Sequence, residues 1–475
     1  MLNAAACGDD STGGGGSGAS GGAGGVNAGG AGGAGGGSDV PLIGDVLPCG
    51  VEGTIGGMAK GTDLQRHDLD LDVFPDALCN DGTGAVIYYR PYEGAANKNR
   101  WVIQLLGGGS CETGQNCADR WCQVGTNFSK TQMSSDAAPT GGTTGNGIFA
   151  RRADNPIGDF NQVLIRYCSS DMHAGLSRDV VVNANIPGTE EPVQFRMNFL
   201  GSRILDATLA TLEADGVPTL AYTIGGGNVE LPNLAEANLV IVAGASAGGG
   251  GTITHVDRIA THLREKNPNV AVSALIDSIF IPNREDLDWS TTELCSTEGI
   301  CDYASMMQAY GDSRVYDVID EDSCATWHAA HAPDTAWQCL DIGHVVRHHV
   351  TTPMFVRQGQ TDSLLSSNFI DSGVSVPGYG PMDLPAFAAL VRASLADLAD
   401  LKTSAEEGAD IAVTPGAYGP SCSKHETLRS TPDTFDVTID QNGNSYSMFQ
   451  VIANWASNMQ PSSVITPMGG TDFCP

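Results

Sequence analysis

Apolar residues along this chain fall into two patterns. Short continuous runs predict buried strands at Gly84–Tyr92, Trp101–Leu106, Asn161–Tyr167, Leu239–Val242, Val270–Ile276 and Pro353–Gln358. Between these runs the spacing turns helical. Phe199–Asp215 sets Leu205, Leu209 and Leu212 on one face and is stopped by Gly216, Val217 and Pro218. Thr252–Leu263 does the same with Ile253, Val256, Ile259, Ala260 and Leu263, and Pro385–Ala405 is a further helix. Alternation of this kind predicts an α/β fold, a mostly parallel sheet flanked by helices on both faces.

Three stretches break the alternation. Residues 1–40 are dominated by Gly, Ala and Ser from Ser11 onward and read as a flexible tether ahead of a folded part at 41–475. Thr292–Cys339 holds four cysteines and few strand signals, which predicts a disulfide-rich cap insertion at about 290–345. Asp68, Leu69, Asp70, Leu71 and Asp72 alternate acid with apolar side chains, as a half-buried strand does. As a calcium loop the same stretch lacks the glycine at the sixth position and the glutamate at the twelfth, where Cys79 stands.

The run Leu239–Val242 leads into the chemistry. It ends in Gly244, Ala245, Ser246, Ala247 and Gly248, a G-x-S-x-G elbow that lifts a serine hydroxyl clear of an α/β sheet. Gly18–Gly22 matches the same pattern, but no strand precedes it. Serine needs a base, and in such sheets the partners follow in the order Ser, Asp or Glu, His. Asp362 closes the Pro353–Gln358 strand after a turn glycine; Asp277, ending the Val270–Ile276 strand, is the rival acid. If Asp362 is the acid, His425 is the one histidine left beyond it. Gly107, Gly108, Gly109 and Ser110, after the Trp101 strand, offer bare N–H groups to an oxyanion, together with the N–H of Ala247. His328, His331, His344, His348 and His349 match no metal-ligand spacing, so a polar surface is expected there, with no cofactor and no metal.

Composition narrows the partners. Acidic residues outnumber basic ones by 55 to 24, a net charge of −31, which argues against nucleic acid and anionic membranes. No run of 18 apolar residues occurs, so no membrane-spanning helix is expected. Thirteen cysteines without paired C-x-x-C motifs point to disulfides in an oxidising compartment rather than zinc. Ala4, Ala5, Ala6 and Cys7 resemble a bacterial lipobox ahead of a tether, which makes Cys7 a candidate for lipidation, although a charged and apolar leader is missing before it. A secreted or surface-anchored location in the outer membrane or periplasm follows.

Six segments carry a family resemblance running from about Cys79 to Cys474. They are Trp101–Cys111; Arg166–Asp171 with Gly175; Ala243–Gly249 with Val256, Asp257 and Arg258; Ala274–Ser278; Asp362; and Cys422–Glu426. In order and spacing they resemble the pectinacetylesterase/Notum family of carboxylesterases. The resemblance implies an α/β-hydrolase-like fold and a Ser246–His425–Asp362 triad, with an oxyanion hole at Gly108, Gly109 and Ala247. It gives Asp277 a structural or pocket-lining role. It also implies disulfides Cys111–Cys117, Cys79–Cys168, Cys295–Cys301, Cys324–Cys339 and Cys422–Cys474, leaving Cys49 and Cys122 for a sixth. Family members commonly carry a glutamate where Leu106 stands and an aromatic where Ser110 stands, so acyl-chain preference does not transfer.

The expected function is serine ester hydrolysis by a monomer. The substrate is expected to be an O-acetyl or other O-acyl group on an extracellular polysaccharide, although the negative charge opposes a polyanionic pectin. Two competitors remain. One is a surface-tethered carbohydrate-binding or adhesion protein on an inactive hydrolase scaffold, and the other is a serine peptidase or amidase.

Overall fold

The computed structural model describes residues 40–47, 58–126, 128–186, 189–398, 413–431, 434–470, 472 and 474. Cys7, Cys49 and the rest of the glycine-rich start lie outside the described residues.

Nine strands form the central sheet. They are β1 Lys60–Asp68, β2 Val86–Arg90, β3 Arg100–Leu105, β4 Asn161–Ile165, β5 Leu239–Ala245, β6 Ala271–Asp277, β7 Met354–Arg357, β8 Gly416–Gly419 and β9 Ser463–Ile465. Their spatial order is β1-β2-β4-β3-β5-β6-β7-β8-β9. Only the β1–β2 and β2–β4 pairings are antiparallel; every other ladder is parallel. The fold is therefore α/β, as expected.

Continuous apolar runs are what a sheet covered on both faces requires. Trp101, Ile103 and Leu105 of β3 join one core layer with the helices Gly201–Leu212 and Ala247–Lys266. Val102, pointing the other way, joins a second layer with Phe355 and with Phe449 and Ile452 of the helix Met448–Ala456. The period-two alternation of side chains along a strand thus supplies both cores from one run.

The stretch between β6 and β7 is helical, with helices Glu293–Glu298, Tyr303–Ser313, Asp322–His331 and Ile342–His348. The five disulfides implied by the resemblance all form. Cys79–Cys168 closes the longest loop, 89 residues, a constraint on the unfolded chain of about 4–5 kcal/mol. Cys122 is also disulfide-bonded. No helix among the described residues is long and apolar enough to cross a membrane.

Two expectations need correction. The Asp68–Asp72 stretch is not a strand: β1 ends at Asp68 and the chain turns, with Asp72 N–H donating to Asp70 Oδ1. A local Asp turn competes successfully with the ladder there. The expected polar surface of histidines is mostly interior, with His328, His344 and His349 0%, 5% and 2% exposed.

Candidate active site

Ser246, Asp362 and His425 lie just past the carboxyl ends of three parallel strands, β5, β7 and β8, the edge at which open α/β sheets place their sites. Ser246 takes φ 53°, ψ −124°, a conformation costly for any residue with a Cβ. The two glycines of the motif make this turn geometrically feasible. A Cβ on Gly244 would lie 2.0 Å from Gly248 O, and one on Gly248 would lie 2.1 Å from Leu105 O. The elbow is held from below by Ser246 N–H donating to Asp277 O at 3.0 Å. The helix Ala247–Lys266 starts immediately after it, so its N-terminal partial positive charge stands at the serine.

His425 follows β8, and its Nδ1 lies 2.9 Å from both carboxylate oxygens of Asp362. Asp362 is fully buried and also accepts from Leu364 N and Leu365 N, which makes it the N-cap of the helix Ser363–Asp371. Gln358 Nε2 donates to its other oxygen at 3.3 Å. His425 Nε2 has no hydrogen-bond partner among the described residues, and it shares a cavity with Ser246 and Gly108. Burial pushes the His425 pKa down, but the Asp362 charge and hydrogen bond, with Glu426 and Asp277 behind them, outweigh it and leave the pKa raised.

The glycine run bends through left-handed backbone at Gly108 (φ 146°) and Gly109 (φ 63°). A Cβ on Gly109 would sit 2.7 Å from the Phe128 ring. Tyr167 Oη donates to Gly109 O at 2.7 Å and accepts from Met172 N–H at 2.7 Å, fixing the loop to the Arg166–Asp171 segment. Gly109 and Ala247 share with Ser246 a second, apolar cavity. Ser246 thus stands between two cavities. The more polar one is lined by His425, Glu426, Gln132, Asn146 and Arg429 together with Met58, Leu106 and Phe128, and the apolar one by Met172, Ile279, Met306, Met307, Ile342 and Phe369 among others.

Asp277 is built into the scaffold rather than paired with His425. It is fully buried and accepts from Arg357 Nη1 at 3.1 Å, Ser278 Oγ at 2.9 Å, Thr427 N at 2.7 Å, Thr427 Oγ1 at 3.2 Å and Leu428 N at 3.2 Å. Sequence reasoning missed Glu426, although it adjoins His425 in the quoted motif. Its backbone is left-handed (φ 57°), and a Cβ on Gly107 would meet its Oε1 at 1.9 Å. Burial raises its pKa to about 7; the His425 charge pulls it down, while Asp277 and Asp362 push it up. Arg357 was missed as well, because nothing in β7 marks a buried cation.

The pectinacetylesterase family profile matches residues 60–469 of this chain. The fold is of the α/β-hydrolase type. The chain belongs to the pectinacetylesterase family, whose relatives here include both Notum proteins and a plant enzyme. It is 32% identical over 218 residues to palmitoleoyl-protein carboxylesterase notum2 of Xenopus laevis, covering 45% of this chain and 37% of that one. It is 24% identical over 212 residues to pectin acetylesterase 4 of Arabidopsis thaliana, covering 44% and 42% respectively. The matched stretches therefore span less than half the length of these relatives. A crystal structure of the Wnt deacylase Notum from Drosophila superposes with a TM-score of 0.59 at 20% identity, covering 86% of this chain and 98% of that one.

Proposed function

We propose that this chain is a serine carboxylesterase acting through Ser246, His425 and Asp362. The observation that carries the reading is the strained Ser246 elbow, placed in one cavity with the unpartnered Nε2 of an Asp-oriented histidine. His425 takes the Ser246 proton as Oγ attacks the ester carbonyl, and Asp362 holds the imidazole in orientation and stabilises its charged form. The N–H groups of Gly108, Gly109 and Ala247 receive the oxyanion. His425 then protonates the leaving alcohol. Water, deprotonated by the same ring, releases the acid from the acyl-enzyme and restores Ser246.

The two cavities divide the substrate. The apolar one is walled mainly by aliphatic and aromatic side chains, with Ile281, Leu364 and Leu365 completing its walls. An acetyl group reaches few of them, and each further methylene buried contributes about 0.8 kcal/mol. The acyl group is therefore assigned as a fatty acyl chain longer than acetyl, and the 290–345 segment, which supplies Met306, Met307, Leu340 and Ile342, as the cap over it. The leaving alcohol takes the polar cavity. There Arg429 Nη1 has no hydrogen-bond partner among the described residues, leaving a charged donor for a hydroxylated group such as a glycan. The disulfides fit an extracytoplasmic location.

The test is a series of p-nitrophenyl esters from acetate through butyrate and octanoate to palmitate. kcat/KM is expected to peak beyond butyrate. Met306→Trp, which fills the cavity from the cap, is expected to lower the octanoate value by at least about tenfold while sparing acetate. A Ser246-dependent peak at acetate overturns the acyl assignment and returns the polysaccharide acetylesterase expected from the sequence.

Glu426 sets the acid side of the pH profile. Its carboxylate favours the imidazolium of His425, and the base works only when neutral. Removing that charge in Glu426→Gln therefore lowers the His425 pKa, and the acid limb of kcat/KM is expected to move to lower pH. The limb in the wild type belongs to the coupled pair. A limb that stays in place or moves upward contradicts this role.

A further inference from the structure

His328, His344 and His349 lie within one cluster away from the ester site. His328 sits on the helix Asp322–His331, His344 on the helix Ile342–His348, and His349 caps the latter. The loop between the helices is closed by Cys324–Cys339, which draws the three rings together across 22 residues of chain. One ring nitrogen from each histidine and the Cys324 Sγ all lie within 4.8 Å of one another. All four residues are buried.

Two details are those of a ligand set rather than of packed rings. His328 Nε2 and His344 Nε2 face each other at 3.4 Å. Two nitrogens at about 2.0–2.1 Å from one tetrahedral zinc ion are about 3.3–3.4 Å apart. The tautomer of His328 is also fixed from behind. Thr335 Oγ1 donates its proton to Ala332 O at 2.9 Å, so it accepts from His328 Nδ1–H at 2.9 Å. The proton is thereby held on Nδ1 and the lone pair of Nε2 is turned into the cluster, the usual outer support of a metal-bound histidine.

We propose that His328, His344 and His349 form a zinc-binding site that fastens the helices Asp322–His331 and Ile342–His348 to each other. Cys324 supplies no thiolate while it is paired with Cys339, so the set is three imidazoles with a fourth position for water. Borderline divalent ions suit imidazole, whereas calcium and magnesium require oxygen ligands. Leu340 and Ile342, between and within these elements, line the apolar cavity, so the ion would stiffen its cap wall without touching the reacting atoms.

The test uses the full chain without an affinity tag, disulfides intact, stripped by chelator and dialysed against Zn²⁺. One zinc per chain is expected, unaffected by excess Ca²⁺ or Mg²⁺, with a raised Tm. Co²⁺ in its place is expected to give tetrahedral d–d absorption without a thiolate charge-transfer band. His328→Gln and His344→Gln should each abolish stoichiometric binding. Thr335→Val leaves all three rings in place and should weaken binding by about 10- to 100-fold. His331→Gln, on the exposed face of the same helix, should bind as wild type. Absence of stoichiometric zinc in the wild type overturns the proposal, whatever the variants do. Zinc that survives both His→Gln changes, or that inhibits ester hydrolysis by binding at His425, overturns it too.

Discussion

Ser246→Ala is expected to reduce kcat for ester hydrolysis by about 10⁴- to 10⁶-fold while the chain stays folded. The hydroxyl is the only group lost. Ser246 N–H still donates to Asp277 O, and the helix Ala247–Lys266 still begins at the next residue. What remains is the rate supplied by the oxyanion donors and by binding. The strain at φ 53°, ψ −124° provides a second readout. Ser246→Gly removes a Cβ from backbone that only glycine takes at ease, so it should raise stability in urea by about 1–3 kcal/mol while being equally inactive. A variant both more stable and inert is what a residue held in strain for chemistry gives. If Ser246→Ala instead hydrolyses esters at the wild-type rate, another nucleophile is at work. If the wild type neither turns over esters nor is labelled by a fluorophosphonate, the inactive-scaffold reading takes over. Turnover of amides in preference to esters would favour the peptidase.

The signals that reached the site through the sequence were the local ones. The elbow is legible because its glycines keep a fixed local spacing around the serine: a Cβ on Gly244 would strike Gly248 O, four residues on, although Gly248 itself is demanded by Leu105 on the neighbouring strand. The strands β2 to β7 are legible because both faces are buried and the runs are continuous. The helix after the elbow begins at Ala247, five residues before the expected Thr252. Four successive glycines have poor helix propensity, but tertiary contact overrides it: a Cβ on Gly250 would strike Met172, and one on Gly251 would strike His173. The strands β1 and β8 were illegible for opposite reasons. Lys60–Asp68 is a polar edge strand, and Gly416–Gly419 is four residues with a glycine at each end, where Phe355 and Trp455 crowd Gly416 and Leu395 and Ile465 crowd Gly419. The histidine cluster was hidden because its members meet through helix packing, at separations of 16 and 5 residues that no local motif encodes. The disulfide pairs were carried by resemblance, since spacing alone leaves many connectivities open.

Asp277→Ala is expected to destabilise the fold by about 3–5 kcal/mol, the largest single loss from a residue that never touches substrate. Its carboxylate is fully buried and is the sole acidic partner of Arg357 among the described residues, whose side chain is itself only 3% exposed. Alanine leaves that cation without its counter-charge and also strips the acceptor from Thr427 N and Leu428 N. Asp277→Asn does not rescue this. One end of the amide must turn its N–H₂ toward either Arg357 or the two backbone donors, and donor then faces donor. Asp277→Ala with Arg357→Met should recover part of the loss, because no charge is then stranded. The kinetic consequence follows from the same contacts. Thr427 and Leu428 anchor the loop that carries His425, while the Asp277 carbonyl anchors Ser246. One residue therefore fixes both the proposed nucleophile and the proposed base, and a shift of about 1 Å between them costs about a hundredfold in kcat. Urea unfolding and kcat measured on the three variants separate the two effects. An Asp277→Ala protein within about 1 kcal/mol of wild type and fully active would show that the loop is held by something else.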